Sequence, residues 1–269
     1  MDLKQTINNE YYVSMVYNLL VNDGLNVNIF EIEKMLQWGT PYDLEIYNNW
    51  SNYFKNICDK QNDYEDKYNT TLILPMAGAG SRFSKVGYKD PKPLIDVNGK
   101  PMIIQAVNCL PKTTNQIFIC QEQHLISYPL LKNIQTYYPK ANIHGINQVT
   151  QGQACTCEIG INKSNLDYET SILISACDNG VHYNKEKYNT LLNDTTIDVI
   201  VWTFKNEPTS KNNPNMYAWL ETDDNDYITN VSCKKFDENK HNIKTSHVII
   251  GTMFFRKAHY FMDGLKLNY

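Results

Sequence analysis

The sequence predicts an α/β fold with a mixed, mainly parallel, Rossmann-like sheet flanked by helices. Short continuous apolar runs, such as TLILPM at 71–76, alternate with stretches of helical periodicity. Strands that are buried on both faces give such runs, and connecting helices are typical of parallel strands. After residue 213 the pattern changes to short segments separated by turn residues, which indicates an antiparallel addition to the sheet.

The elements of this main domain follow one another in a regular order. The predicted parallel strands are the apolar runs at 71–76, 116–121, 141–149, 171–177 and 197–204. The predicted helices lie between them at 101–110, 123–136, 152–162 and 185–193. The predicted antiparallel segments are MYAWLET at 216–222, YITNVSC at 227–233 and HVIIGTMFF at 247–255.

A shorter segment, residues 1–57, precedes the main domain of residues 71–269. Its predicted elements are a helix at 9–23 closed by Gly24, a strand at 26–36 and a helix at 41–54. The second helix has a clear start signal, because Thr40 can cap it and Pro41 suits its first position. Residues 58–70 are polar and lack apolar periodicity, so they are predicted to be a linker.

Composition excludes several classes of protein. A net charge of -4 with interspersed lysines gives no basic stripe, so we expect no nucleic-acid partner. The first 20 residues lack the apolar stretch of a secretory signal, and no run of about 18 apolar residues follows. We therefore expect a soluble, cytoplasmic protein without membrane contact. The seven cysteines have no zinc-site spacing and are interpreted as reduced thiols.

The most informative stretch is LPMAGAGSRFSKVGYKDPKPL at 74–94, which follows an apolar strand. Gly78 and Gly80 would let backbone amides approach a phosphate closely. Arg82 offers a planar fork of donors, and two prolines stiffen the backbone around Lys92. The loop has neither the third glycine of a dinucleotide fingerprint nor the Gly-Lys-Ser/Thr of a P-loop. The residues alone leave a structural β-to-α turn as the alternative.

This stretch resembles the N-terminal signature of the sugar-1-phosphate nucleotidyltransferases, also called nucleotide-sugar pyrophosphorylases. The resemblance lies in PMAGAGSRF and GYKDPKPLIDVNGKPMI, which look like the Gly-x-Gly-x-Arg and Pro-Lys-Pro of that family. Further similar strings follow in order, namely FICQEQHL, TQGQACT, SACDNG, VSCKKF and GTMFFRK. The resemblance covers most of residues 70–262 and implies a fold of the nucleotide-diphospho-sugar transferase type.

The resemblance also implies a reaction and roles for individual residues. A sugar 1-phosphate would attack the α-phosphate of a nucleoside triphosphate, giving a nucleotide-sugar and pyrophosphate. Arg82 would hold the leaving pyrophosphate, and Lys92 would stabilise the α-phosphate in the transition state. The residues expected to bind the nucleotide are Ala77, Gly78, Ala79, Gly80, Ser81, Gly152 and Gln153. Gln153 has a simpler interpretation as the first residue of the helix that follows.

A magnesium ion and a sugar-phosphate contact are implied as well. Asp178 ends a predicted parallel strand, where a hard oxygen ligand suits Mg²⁺, although an ordinary Asx turn is the alternative. Glu10 is the residue that the resemblance nominates as a second acid, and its alternative is a first-turn acid of a helix. Lys234 or Lys235 would meet the sugar phosphate, but the family's Glu-Lys-Pro context is missing, and a solvated charge pair is the alternative.

Residues 8–54 resemble the last part of the same family, although here that part comes first. A circular permutation would let this segment pack onto the main domain through the linker. A fragment of a tandem protein and a homodimer that exchanges the segments are the other interpretations. We favour permuted packing for the shape and a tandem origin for the history.

Two alternatives to sugar-nucleotide synthesis stay open. One is a cytidylyltransferase acting on a phosphorylated alcohol such as phosphocholine, because similar loops serve such substrates. The other belongs to a different class, a catalytically weak nucleotide-binding remnant or regulatory subunit. The atypical surroundings of the lysine pair favour the remnant.

Overall fold

The computed structural model describes residues 20–59 and 67–266. The chain divides into two compact units, which we call unit 1 (Met1–Cys58) and unit 2 (Asp59–Tyr269). Glu10, most of the predicted helix at 9–23 and residues 60–66 of the predicted linker lie outside the described residues. Within the described ranges, no helix combines the length and the apolar character needed to cross a membrane.

The long helix that the structure describes in unit 1 is α1 (Pro41–Asp59). Its start is the predicted one, because the Asp43 N–H donates to Oγ1 of Thr40 at 3.2 Å and the Thr40 hydroxyl donates back to the Asp43 carboxylate at 2.7 Å. The preceding helical turn ends at Gly24, whose N–H donates to the Val21 carbonyl at 3.0 Å. Helix α1 runs past residue 54, so the first residues of the predicted linker are helical.

The predicted strand at 26–36 is wrong. Residues 25–38 form no strand, and the side chains of Ile29 and Phe30 are 90% and 91% exposed. A strand needs a neighbour for its backbone N–H and C=O groups, and nothing within the described residues pairs with this segment. The sequence of this segment alone therefore does not determine a strand, because β propensity depends on the neighbouring strands.

Unit 2 is built on a mixed sheet, to which the described residues contribute eight strands. They are β1 (Lys67–Met76), β4 (Lys112–Gln121), β5 (Asn142–Ile146), β6 (Ile172–Ile174), β7 (Val199–Phe204), β8 (Ala218–Thr222), β9 (Ile228–Cys233) and β10 (His247–Phe255). The order is β5-β4-β1-β6-β10-β8-β9, and β7 pairs with β10. The small strands β2 (Asp96–Val97) and β3 (Lys100–Pro101) form a separate hairpin.

The predicted mixed, mainly parallel sheet is confirmed, except that among the described strands β7, predicted to be a parallel strand, pairs only with β10 and is antiparallel to it. Strands β5, β4, β1 and β6 are parallel neighbours, and β8, β9 and β10 form the antiparallel addition. Strand β10 is antiparallel to both β6 and β7, so β7 runs in the same direction as β6 without pairing with it. Strand β1 begins at Lys67, where Lys67 pairs with Lys112, so the end of the predicted linker is strand.

Helices connect these strands. They are α2 (Ser81–Ser84), α3 (Met102–Asn108), α4 (Glu122–Ser127), α5 (Leu130–Tyr137), α6 (Gln153–Lys163), α7 (Lys185–Asn193), α8 (Pro208–Asn212) and α9 (Ala258–Lys266), with 3₁₀ turns at Lys92–Leu94 and Pro214–Met216. The helix predicted at 123–136 is two helices, because Pro129 disfavours helical backbone at Tyr128, which is extended at φ -133° and ψ 158°.

The core lies on both faces of the sheet. Along β1, Leu72 and Leu74 belong to one buried apolar cluster, whereas Ile73 belongs to a second cluster on the opposite face. Phe118 and Ile119 divide in the same way along β4. This alternation explains why the parallel strands read as continuous apolar runs in the sequence.

Gly160 allows helix α6 to pack closely against β4, and alanine at this position is expected to destabilise the protein. A Cβ atom at Gly160 would lie 2.5 Å from Cγ1 and 2.6 Å from Cδ1 of Ile119. We expect Gly160→Ala to lower the free energy of unfolding by roughly 1–3 kcal/mol in urea titrations. Gly264→Ala in helix α9 is the control, because a Cβ there meets nothing within 4 Å and helix propensity improves. Equal stability of the two variants would contradict this packing.

Candidate functional site

A cavity of about 870 Å³ lies at the carboxyl ends of the parallel strands in unit 2. Its walls come from the end of β1 and the loop after it, from the 3₁₀ turn at Lys92, from the start of α6, and from the residues after β6. The carboxyl edge of a parallel sheet is where open α/β folds bind ligands, because loops and helix starts converge there. The cavity is therefore the candidate functional site.

Most of the residues that the sequence nominated meet in this cavity. Those lining it are Ala77, Gly78, Gly80, Ser81, Arg82, Lys92, Gly152, Gln153 and Asp178. They come from positions separated by up to about a hundred residues in the chain, so the fold brings them together. Ala79, the remaining residue of the predicted loop, is exposed and is not among the lining residues.

The loop after β1 needs glycine at position 80. Gly80 has φ 61° and ψ 19°, in the left-handed region, and a Cβ there would lie 3.4 Å from Cβ of Lys92. The Gly80 carbonyl accepts the Phe83 N–H at 3.0 Å, which starts helix α2. The need for glycine comes from this backbone conformation, because a Cβ at 3.4 Å would make only ordinary van der Waals contact with Lys92.

Lys92 and Asp178 both line the cavity and form an ion pair between Nζ and Oδ2. Their side chains keep 26% and 34% of their exposure, so solvent and ligands reach both groups. The Lys92 ammonium also lies 5.9 Å from the centre of the Phe83 ring, at the outer limit of a cation–π contact. An anion that enters the cavity therefore competes with Asp178 for the ammonium.

The position of Asp178 is fixed by an irregularity in β10. The side-chain N–H of Asn179 donates to the Ile250 carbonyl at 2.7 Å, and the hydroxyls of Ser175 and Thr252 lie 2.9 Å apart. The register of β10 against β7 shifts between Ile249 and Met253, which leaves the Ile250 carbonyl available to Asn179. No local sequence pattern predicts these contacts, because they join segments more than 70 residues apart.

Two threonines hold the turn before helix α6. The Thr150 hydroxyl donates to the Gly152 carbonyl at 2.8 Å and lies 2.6 Å from the buried hydroxyl of Thr156. Gln153 is the first residue of α6 and also lines the cavity, so its two sequence interpretations are compatible. The turn presents Gly152 and Gln153 as one wall of the cavity.

Among the residues that the structure describes, the cavity wall holds no activated protein nucleophile. Burial raises the pKa of the Cys177 thiol to about 11, so this group is protonated at neutral pH. The Ser81 hydroxyl lines the cavity too, but the lining residues that the structure describes include no histidine that could activate it. The described wall is suited to holding anions rather than to covalent catalysis.

Other predicted site residues do not join this cavity. Lys234 and Lys235 follow β9 at the edge of the sheet, where both are exposed, and neither is a lining residue. Lys234 has φ 52°, and its N–H donates to the Tyr217 carbonyl at 2.9 Å. Glu10 lies outside the described residues. Among the residues described, no group of three or more metal-binding side chains occurs, and Asp178 is the carboxylate that lines the cavity.

Solved structures of known proteins share this fold. A nucleoside-diphosphate-sugar pyrophosphorylase from Vibrio cholerae matches with a TM-score of 0.56 at 18% identity, over 73% of this chain and 78% of that one. An inositol-1-phosphate CTP transferase from T. maritima matches with a TM-score of 0.56 at 12% identity, over 73% and 74%. No family model and no curated protein matches the sequence. The predicted fold of the nucleotidyltransferase type is confirmed.

Proposed function

We propose that this protein transfers a nucleotidyl group from a nucleoside triphosphate to a sugar 1-phosphate, giving a nucleotide-sugar and pyrophosphate. The observation that carries the proposal is the convergence of a glycine-rich loop, Arg82, Lys92 and Asp178 in one cavity at the carboxyl edge of the sheet. The nucleotidyltransferase-type fold and the sequence resemblance support the same reaction.

The reaction suits a cavity whose described wall holds no activated protein nucleophile. The phosphate of the sugar 1-phosphate attacks the α-phosphorus of the triphosphate, and pyrophosphate leaves. Because the attacking group belongs to the substrate, the protein needs mainly to align two anions and to stabilise the charge of the transition state. Cationic and amide donors on the cavity wall can do both.

Each donor has a proposed task. The amides of the loop at Gly78 and Gly80 bind the triphosphate, and the guanidinium of Arg82 pairs with the leaving pyrophosphate through its two-pronged donor face. The ammonium of Lys92 turns from Asp178 to the α-phosphate and stabilises the charge that develops there. Gly152 and Gln153 contact the base or the ribose.

Asp178 fits the role of a magnesium ligand. Mg²⁺ is commonly held by one or two carboxylates together with substrate phosphates, so a single accessible carboxylate beside a phosphate-binding loop is a suitable set of protein ligands. When bound, the ion would neutralise part of the charge of the triphosphate. Asp178 itself repels free phosphate and restrains the Lys92 ammonium until substrate enters.

Pyrophosphate release by the purified chain tests the proposal. The panel should contain each nucleoside triphosphate with several sugar 1-phosphates, with and without Mg²⁺. We expect release that depends on one triphosphate and one sugar 1-phosphate. Release only with CTP and inositol 1-phosphate or phosphocholine would replace the acceptor by a phosphorylated alcohol. Triphosphate binding without any release would contradict catalysis and would identify a nucleotide-binding remnant.

A further inference from the structure

We infer that Gln121 is a positioning residue, which sets the direction in which the phosphate-binding loop presents its amide N–H groups. This inference rests on the proposed function. Gln121 is the last residue of β4, and the strand register pairs Met76 with Cys120. Gln121 therefore lies beside the first residue of the loop, Ala77.

The contact is specific. The side-chain nitrogen Nε2 of Gln121 donates to the Ala77 carbonyl and to the Gly78 carbonyl, each at 3.1 Å. Both acceptors are backbone carbonyls, which cannot donate, so the nitrogen rather than the oxygen of the carboxamide must face them. A carboxamide nitrogen has two N–H bonds, which is enough to serve two carbonyls of consecutive peptide groups.

Fixing the direction of these two carbonyls also fixes the direction of the N–H in the same peptide group. In a planar trans peptide the C=O and the following N–H point in opposite directions. Holding the Ala77 and Gly78 carbonyls toward Gln121 therefore directs the N–H groups of Gly78 and Ala79 away from it. Neither N–H donates a hydrogen bond to any described residue. Gly78 lines the cavity, so its N–H is left for a ligand there.

The Gln121 carboxamide contacts the loop without itself lining the cavity. Ala77 and Gly78 line the cavity, whereas Gln121 is not among its lining residues. Gly78 is exposed and has no side chain that could pack to restrain this peptide. Glycine has a large backbone entropy to lose when it binds a ligand. Gln121 lowers that cost by ordering the loop in advance.

Gln121→Met tests the inference, because methionine has a similar length and cannot donate. We expect inorganic tripolyphosphate and the triphosphate substrate to bind about 5–30-fold more weakly in calorimetric titrations. The KM for the sugar 1-phosphate should stay within about 2-fold, because the loop contacts the triphosphate. Gln123→Met is the matched control, since Gln123 lies in exposed helix α4 and bonds only with Ser127 among the contacts described.

Gln121→Glu is the second variant and keeps the test decisive if methionine disturbs folding. An ionised carboxylate can only accept hydrogen bonds. It therefore cannot replace the two hydrogen bonds that the Gln121 nitrogen donates to the Ala77 and Gly78 carbonyls. Gln123→Glu controls for the added charge. Tripolyphosphate binding by Gln121→Glu that equals binding by Gln123→Glu would overturn the inference. Absence of binding to the parent chain would instead overturn the proposed function, and the inference with it.

Discussion

Replacing Lys92 with alanine is expected to lower kcat/KM for nucleotidyl transfer by about 100-fold or more. The ammonium is the cation that lies between the glycine-rich loop and Asp178, where the α-phosphate would carry its developing charge. Loss of one preorganised charge-stabilising donor typically costs two to three orders of magnitude in rate. Initial-rate measurements over both substrates, with urea unfolding as the check on folding, provide the test.

Stability should change little in this variant. The Lys92–Asp178 pair is partly exposed, and such pairs contribute about 1 kcal/mol or less. Lys85→Ala is the matched control, because Lys85 is an exposed lysine just after helix α2 and does not line the cavity. Arg82→Ala is expected to show a loss of similar size. Turnover within a few-fold of the parent in both variants would contradict the roles assigned to these cations.

Asp178→Asn is expected to separate binding from turnover. The substitution keeps the shape of the side chain but removes its charge, so it releases Lys92 and removes the proposed magnesium ligand. Turnover with Mg²⁺ should fall by about 100-fold or more. Binding of triphosphate in the absence of Mg²⁺ should stay equal or become tighter, because a negative charge beside the phosphates is gone.

Calorimetry without Mg²⁺ and initial rates across a Mg²⁺ titration measure these two effects. Asp224→Asn is the control, because Asp224 is an exposed residue of the turn between β8 and β9. Weaker metal-free binding of triphosphate to Asp178→Asn would contradict the proposed competition between Asp178 and the phosphates for Lys92. Unchanged turnover would contradict its role in catalysis.

The parts of the fold that depend on local patterns were predictable. Apolar runs predicted the parallel strands, because each residue of the run at 71–76 in β1 is buried on one face or the other, as Leu72 and Ile73 show. The start of α1 followed from Thr40 and Pro41, whose effect needs only neighbouring residues. The cavity loop was predictable for the same reason, since glycines and prolines act on their own backbone.

Contacts between distant segments were not predictable. Gln121 meets the loop from 44 residues away, and Asn179 meets Ile250 from 71 residues away. Neither side chain belongs to a local motif, so only the register between strands brings each one next to its partner. The false strand at 26–36 has the same origin, because pairing depends on a partner strand that the segment's own sequence does not specify.

Isotope labelling of the acceptor tests the central claim most directly. The sugar 1-phosphate should carry ¹⁸O in its three non-bridging phosphate oxygens. The masses of both products should then be measured by mass spectrometry after turnover. Attack by the sugar phosphate on the α-phosphorus predicts that the nucleotide-sugar retains all the label and that pyrophosphate carries none. Label in pyrophosphate, or an unlabelled nucleoside monophosphate as the product, would contradict the account.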